Sequence, residues 1–332
     1  MRLPVLFILA CLLGHGVFAG VRVSGVSDLL ETNVLAHLKL DDEACEQEPA
    51  RIRYRYEAAP AEILAALKPY GYYHAKVDAS LEQPPDRCWE AEFTVTPGEP
   101  VVIGEVRIEV LGEGVDLAEF QSLVAGTDIR SGRQLNHGAY ERLKTKLLVT
   151  ARELGFFDAA LIAKEIRVQR NRYLADVSLV LDSGSRFRFG ELHVEGDVLE
   201  KALLMRYVEF EPGAPFEQRR IRELHNDLIR GDFFSTVDVR TEIRPDKTVD
   251  VFLDLKEGRR IRYGVGVGFG TDTGLIVSGD VVNRRLNRRG HRLELDSELS
   301  RVRQNITFDY RIPGVRPQRD WYSFYGGLGR KN

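Results

Sequence analysis

Ser183-Gly184-Ser185-Arg186-Phe187-Arg188-Phe189-Gly190-Glu191-Leu192 has a counterpart on each side of it. The first is Pro97-Gly98-Glu99-Pro100-Val101-Val102-Ile103-Gly104-Glu105-Val106 and the second is Glu257-Gly258-Arg259-Arg260-Ile261-Arg262-Tyr263-Gly264. In each, a turn glycine is followed six residues later by another, with apolar residues alternating between them as on a strand. The leading glycines are 86 and 74 residues apart, the spacing of a repeated unit. The stretch therefore reads as the end of one unit and the first strand of the next.

A second landmark recurs inside the units: Tyr70-Gly71-Tyr72-Tyr73, Leu154-Gly155-Phe156-Phe157 and Gly231-Asp232-Phe233-Phe234. Each ends a helical period and opens a strand. The helices before the last two also match in offset, Gly132, Leu135, Leu143 and Leu147 against Gly213, Phe216, Leu224 and Leu228. Each unit reads strand, helix, helix, strand, strand. The first is expected over 21–26, 29–38, 61–67, 74–81 and 89–96. The second is expected over 101–111, 117–124, 139–153, 157–168 and 172–181, and the third over 186–195, 199–208, 217–230, 236–244 and 248–256. Each small sheet can bury one face under its two helices.

After Gly258 the helical period stops. In Tyr263-Gly264-Val265-Gly266-Val267-Gly268-Phe269-Gly270 the apolar residues face one way and the glycines the other. Four more alternating strands follow, carrying Leu275/Val277/Val281, Leu293/Leu295/Leu299, Ile306/Phe308/Tyr310/Ile312 and Tyr322/Phe324/Leu328. Arg292, Glu294, Asp296, Glu298 and Arg311 occupy the opposite face. Apolar-out, charged-in strands near ten residues long form the transmembrane β-barrel pattern. An antiparallel sheet of a water-soluble protein alternates in the same way. The export signal described next and the dense charge on one face favour the barrel. Five strands cannot close one, so the chain reads as truncated, either a fragment or a natural product.

The 332 residues are 43% hydrophobic and 29% charged, a globular mix. A net charge of −3 argues against a nucleic-acid binder. The balance is uneven, with 15 Lys/Arg against 7 Asp/Glu from Arg259 onward. Arg2, the apolar run Leu3–Leu13 and Val17-Phe18-Ala19 read as a signal peptide over 1–19, too short to span a membrane. Cys11 follows only a loose lipobox. Removing the signal leaves Cys45 and Cys88, which an exporting compartment allows to pair; two buried thiols are the alternative.

Three βααββ units with this landmark resemble POTRA domains, and Pro212-Gly213-Ala214-Pro215-Phe216 followed by Ile221, Leu224, Leu228 and Phe233-Phe234 is similar to that family's most recognisable segment. Three such units before a barrel resemble the TamA family of the translocation and assembly module, within the outer-membrane assembly-factor superfamily. Five units are usual for BamA and two for two-partner secretion transporters. The segment from Arg260 to Gly314, with Tyr310-Arg311-Ile312-Pro313-Gly314 closing its fourth strand, resembles the start of the family's barrel. The resemblance implies an α+β fold of three βααββ POTRA domains, at 20–97, 98–183 and 184–258, and the first strands of an antiparallel transmembrane β-barrel at 259–332. It implies an outer-membrane location with the POTRA domains in the periplasm of a Gram-negative bacterium. The function implied is insertion or translocation of β-barrel and autotransporter clients, with no enzyme activity and no cofactor. Implied partners are unfolded outer-membrane protein clients, outer-membrane lipid and a TamB-like inner-membrane-anchored periplasmic protein. The structural landmarks are Gly71, Gly155, Phe156, Phe157, Gly213, Phe216, Phe233 and Phe234. Gly264, Gly266, Gly268 and Gly270 would form a weak first-strand seam, each strand glycine costing about 0.5–1 kcal/mol relative to alanine. A secretion pore for one exoprotein and a POTRA docking scaffold are the alternatives.

Other signals carry less. The glycines at 264–270 are spaced by two, not as GxGxxG. Arg230-Gly231-Asp232 ends a helix, and Asn305-Ile306-Thr307 lies in a strand. The seven histidines have no ligand spacing, and no catalytic or metal signature appears. Arg284-Arg285 and Arg288-Arg289 fall in a turn, as solvated charge or as contacts for anionic headgroups.

Overall fold

A computed structural model describes residues 20–84, 87–272 and 274–331. The expected signal peptide at 1–19 lies outside the described residues. One compact unit joins the first repeat to Ser122–Lys146 and Leu161–Val180; the other holds Val110–Gln121, Leu147–Ala160 and Leu181–Asn332.

The first repeat runs β1 (Gly20–Ser24), α1 (Asp28–His37), α2 (Pro49–Leu67), β2 (Lys76–Glu82) and β3 (Glu90–Thr96). Its sheet has the order β1-β3-β2, with β1 parallel and β2 antiparallel to β3. The parallel pair needs a long crossover, which the two helices supply. Ala91, Phe93 and Val95 alternate inward along β3 and meet Leu30 and Val34 of α1 and Ile52, Ala59 and Ile63 of α2. α2 begins twelve residues before the expected Ala61, because Pro49 starts it and Pro60 is carried inside it. Buried Glu43 holds the early turns, accepting from Arg51 Nε at 2.8 Å and Arg55 Nε at 3.1 Å. Cys45 and Cys88 are disulfide-bonded, with Cα atoms 5.1 Å apart.

The second repeat repeats the plan as β4 (Val102–Leu111), α3 (Ala118–Ala125), α4 (His137–Glu153), β5 (Ala160–Gln169) and β6 (Leu174–Asp182), in the order β4-β6-β5. The third is β7 (Arg188–Glu195), α5 (Lys201–Leu204), α6 (Gln218–Arg230), β8 (Phe234–Ile243) and β9 (Thr248–Glu257), in the order β7-β9-β8. α6 turns Ile221, Leu224 and Leu228 onto Val251, Leu253 and Leu255 of β9 and their neighbours. α5 is shorter than the expected 199–208. Beyond Leu204 the amides of Arg206, Tyr207 and Val208 bond three residues back rather than four, which tightens the turn and buries Tyr207.

The second glycine of the repeated motif has a steric cause. A Cβ on Gly190 would fall 2.1 Å from Asp250 Oδ1. That carboxylate lies over the glycine, accepts the Glu191 amide at 2.8 Å and takes Arg244 Nε at 2.7 Å. Asp176 does the same over Gly104, accepting the Glu105 amide at 3.1 Å.

Five antiparallel strands follow in sequence order: β10 (Ile261–Gly270), β11 (Gly274–Asn283), β12 (Arg292–Ser300), β13 (Arg303–Pro313) and β14 (Trp321–Lys331). The register places Val267 beside Val277, Val281 beside Leu295, Leu295 beside Phe308 and Ile306 beside Leu328, one continuous apolar face. It is open: Val265 is 84% and Leu328 84% exposed. The opposite face aligns Asp280 with Asp296 and Glu294 with Asp309.

Candidate functional site

Only three residues separate β9 from β10. Antiparallel pairing therefore returns the 284–291 and 314–320 turns to the end of the sheet nearest the third repeat. The short turns around 272 and 302 lie at the other end.

The turn arginines are partnered, although the side chains of Arg288 and Arg289 stay 54% and 72% exposed. They meet the carboxylates of the third repeat. Arg284 Nε pairs with Asp232 at 2.9 Å, and Arg292 approaches the same carboxylate at 3.6 Å. Arg285 binds Glu257 and donates to the Val198 carbonyl, while Arg288 binds Asp197. Arg289 Nε reaches Glu200 at 3.4 Å, and the Glu200 amide donates to the Arg288 carbonyl at 2.8 Å. The second turn adds Arg206 to the Gly314 carbonyl at 3.1 Å and Gln318 to Glu209 at 3.0 Å. Beneath these bonds Trp321 packs on the core that contains Tyr207 and Phe233. A Cβ at Gly290 would come within 2.7 Å of Leu203, so glycine lets the turn sit against the repeat. Burial pushes the Tyr207 hydroxyl far above its usual range and raises the Asp227 carboxyl.

Asp232 was not legible as a contact residue. Gly71 and Gly155 precede their aromatic pairs in the left-handed region, at φ 89° and 86°. In the third repeat Gly231 is right-handed and Asp232 takes the left-handed position at φ 59°. Aspartate tolerates that region better than most residues. Its charge then supplies the grip on Arg284 and Arg292. The signal was the alignment itself, in which aspartate stands where the other copies have glycine.

The landmark residues join elements. Phe187 donates its amide to the Gly155 carbonyl at 2.9 Å, and Phe157 packs between Phe187 and Phe216 with ring centroids 5.3 Å from each. Gly213 and Phe216 lie in a segment that covers the first half of β7: Gly213 N–H to Phe189 O is 2.7 Å and Phe216 N–H to Phe187 O is 2.9 Å. Phe156 is fully buried, as are Phe216 and Phe233. At the seam, Gly264 and Gly266 leave room for the side chains of Asp280 and Ser278, whereas a Cβ on Gly268 would meet nothing within 4 Å. Among the described residues β10 pairs with β11 alone, and β2, β5 and β8 are sheet edges. Unpaired edges are templates for a further strand. Among the described residues no group of three His, Cys, Asp or Glu side chains is placed to hold a metal.

Comparison with known proteins agrees with this architecture. Residues 20–97 match the family model described as POTRA domain TamA domain 1, and residues 187–258 match the POTRA model described as surface antigen variable number repeat. The outer membrane protein assembly factor BamA of Neisseria meningitidis serogroup B is 25% identical over 187 residues, covering 52% of this chain and 23% of that protein. BamA of Nitratidesulfovibrio vulgaris is 24% identical over 261 residues, covering 76% and 32%. The chain thus spans about a quarter to a third of these relatives. The crystal structure of BamA from Haemophilus ducreyi lacking POTRA domains 1–3 superposes with a TM-score of 0.56 at 19% identity, covering 69% of this chain and 42% of that one. The chain carries POTRA domains followed by antiparallel sheet strands, and it is homologous to the Omp85/BamA family of outer-membrane assembly factors.

Proposed function

We propose that this protein is an outer-membrane assembly factor of the TamA type. Residues 20–97, 98–183 and 184–258 are three periplasmic POTRA domains, and 259–332 contribute strands to a barrel in the outer membrane. Clients are unfolded β-barrel and autotransporter chains, and a TamB-like periplasmic protein is the partner. The match of residues 20–97 to the TamA domain 1 model supports the finer assignment.

The observation that carries the reading is β10. It is tethered by three residues to a repeat that the neighbouring turns grip, it exposes Val265, Val267 and Phe269, and among the described residues it pairs on one edge. An extended client segment can add to such an edge through backbone hydrogen bonds, which demand little of its sequence. No bond-making chemistry is needed. Replacing Gly266 and Gly268 by valine would stiffen the strand, Gly266→Val also displacing the Ser278 hydroxyl now 2.5 Å from its Cβ position. In liposomes holding the full-length protein, client protection from protease should then develop several-fold more slowly. Unchanged kinetics would remove the glycine argument. Loss of TamB binding on deletion of Gly20–Leu181, with barrel insertion intact, would assign docking to the first two domains.

A further inference from the structure

Two histidines lie where the first repeat meets the second, and the assembly mechanism uses neither. Tyr73 and His74 precede β2, His137 is the first residue of α4, and Arg170 and Tyr173 form the turn between β5 and β6. Tyr73 Oη is 2.8 Å from His137 Nε2. The Arg170 guanidinium stands over the Tyr73 ring, 5.6 Å from its centroid. The His74 ring lies 4.5 Å from that of Tyr173, and its Nε2 donates to the Arg170 carbonyl at 3.1 Å. The backbone continues the joint: Val101 N–H to Gly71 O and Leu135 N–H to Val101 O are both 2.9 Å, and Gln134 Nε2 donates to Tyr70 O at 2.7 Å.

We infer that this joint is a pH-sensitive hinge, closed when His137 is neutral and loosened when it is protonated. Closed, the neutral imidazole accepts a hydrogen bond from the Tyr73 hydroxyl. Protonation removes that acceptor and places a cation at a helix N-terminus, where the backbone dipole opposes it. Arg170, across Tyr73, adds a second positive charge. The facing carboxylate is Glu141 on the same helix, and it is already engaged by Lys144. Burial lowers the affinity of His137 for a proton, with Glu141 opposing weakly, and burial raises the Tyr73 hydroxyl so that it stays a donor. A histidine so depressed supports the closed joint fully above its free value near 6.5. The support is lost as pH falls below that value, because the open state then binds more protons. His74 donates to a carbonyl, a bond that survives protonation.

The hinge goes beyond the assembly reading. Its use in the cell depends on a periplasmic location, but its detection does not. Amide hydrogen exchange of the full-length protein, corrected for intrinsic rates, would compare pH 7.5 with pH 5.5. Protection of Val101 and Leu135 should fall up to about tenfold, the limit for one proton over one pH unit below 6.5. His137→Gln should abolish the step and His74→Gln should keep it. Tyr73→Phe should lower protection already at pH 7.5 and shrink the step. An equal step in His137→Gln, its loss in His74→Gln alone, or no step in the unmodified protein would each overturn the inference. Failure of client insertion at pH 7.5, with the step intact, would count against the assembly reading and leave the hinge standing.

Discussion

Gly155 and Gly213 have nearly the same backbone and very different surroundings, which makes them a matched pair. Both are left-handed, at φ 86° and 83°. A Cβ on Gly213 would find nothing within 4 Å. A Cβ on Gly155 would lie 2.9 Å from both the Cβ and the carbonyl oxygen of Phe216, and 3.4 Å from the carbonyl of Phe187. Gly213→Ala therefore carries the left-handed penalty alone, about 1–2 kcal/mol. Gly155→Ala carries the same penalty plus an overpacking term of about 1–3 kcal/mol, since backbone cannot rotate away as a side-chain tip does. The expected total is about 2–5 kcal/mol. Relief requires moving the 213–216 segment off β7, which would loosen Gly213 N–H to Phe189 O and Phe187 N–H to Gly155 O together. Urea unfolding of residues 20–258, followed by far-ultraviolet circular dichroism, would measure both variants. Equal losses would refute the reasoning, because both sites carry the left-handed penalty and only Gly155 carries the clash.

Reduction, or the Cys45→Ser/Cys88→Ser pair, should cost the first repeat about 4 kcal/mol in the chain-entropy model for a separation of 43 residues, read as a lower urea midpoint. Asp232→Gly should relax the left-handed backbone yet remove the partner of Arg284 and Arg292, so proteolysis near 258–260 should accelerate while the third repeat stays folded. Hydrogen bonds from Arg244 and the Glu191 amide hold the Asp250 carboxyl below its ordinary 3.8. Its contribution is therefore complete above that value and lost as pH falls through the lowered one. An acid titration of the third repeat should show this loss, and Asp250→Asn should lack that acid step.

The repeats and the strand period of β10 were legible because each rests on local rules, alternation in two for strands and in about 3.6 for α6. The alternation over Tyr263–Gly270 lies within the observed strand Ile261–Gly270 and ends where it ends. The start of α2 was not legible. Pro60 argues locally for a break, and what overrides it is nonlocal: Glu43 between Arg51 and Arg55, with Phe93 and its neighbours burying the helix. The turn arginines were visible as charge but not as contacts, since their partners Asp197, Glu200, Asp232 and Glu257 lie 28 to 91 residues away in sequence. The glycine after each repeat boundary was visible as a pattern. The aspartate that fills its place was not, because the two come together only when the third strand of the unit inserts beside the first.

The glycine comb of β10 has a consequence for slippage. In the observed alignment Gly264 faces Asp280 and Gly266 faces Ser278. Sliding β10 along β11 by two residues, about 7 Å, brings Gly266 opposite Asp280 and Gly268 opposite Ser278. Both polar side chains again find an empty place, and on the other face Val267 comes beside Gly279 and Phe269 beside Val277. The side-chain alternation survives the move, and no bulky group blocks it. Most strands are pinned by the shapes of their neighbours, but here the glycines offer the same two polar side chains a second seat two residues along. A strand of that kind can change partners by stepping along a ladder instead of leaving it.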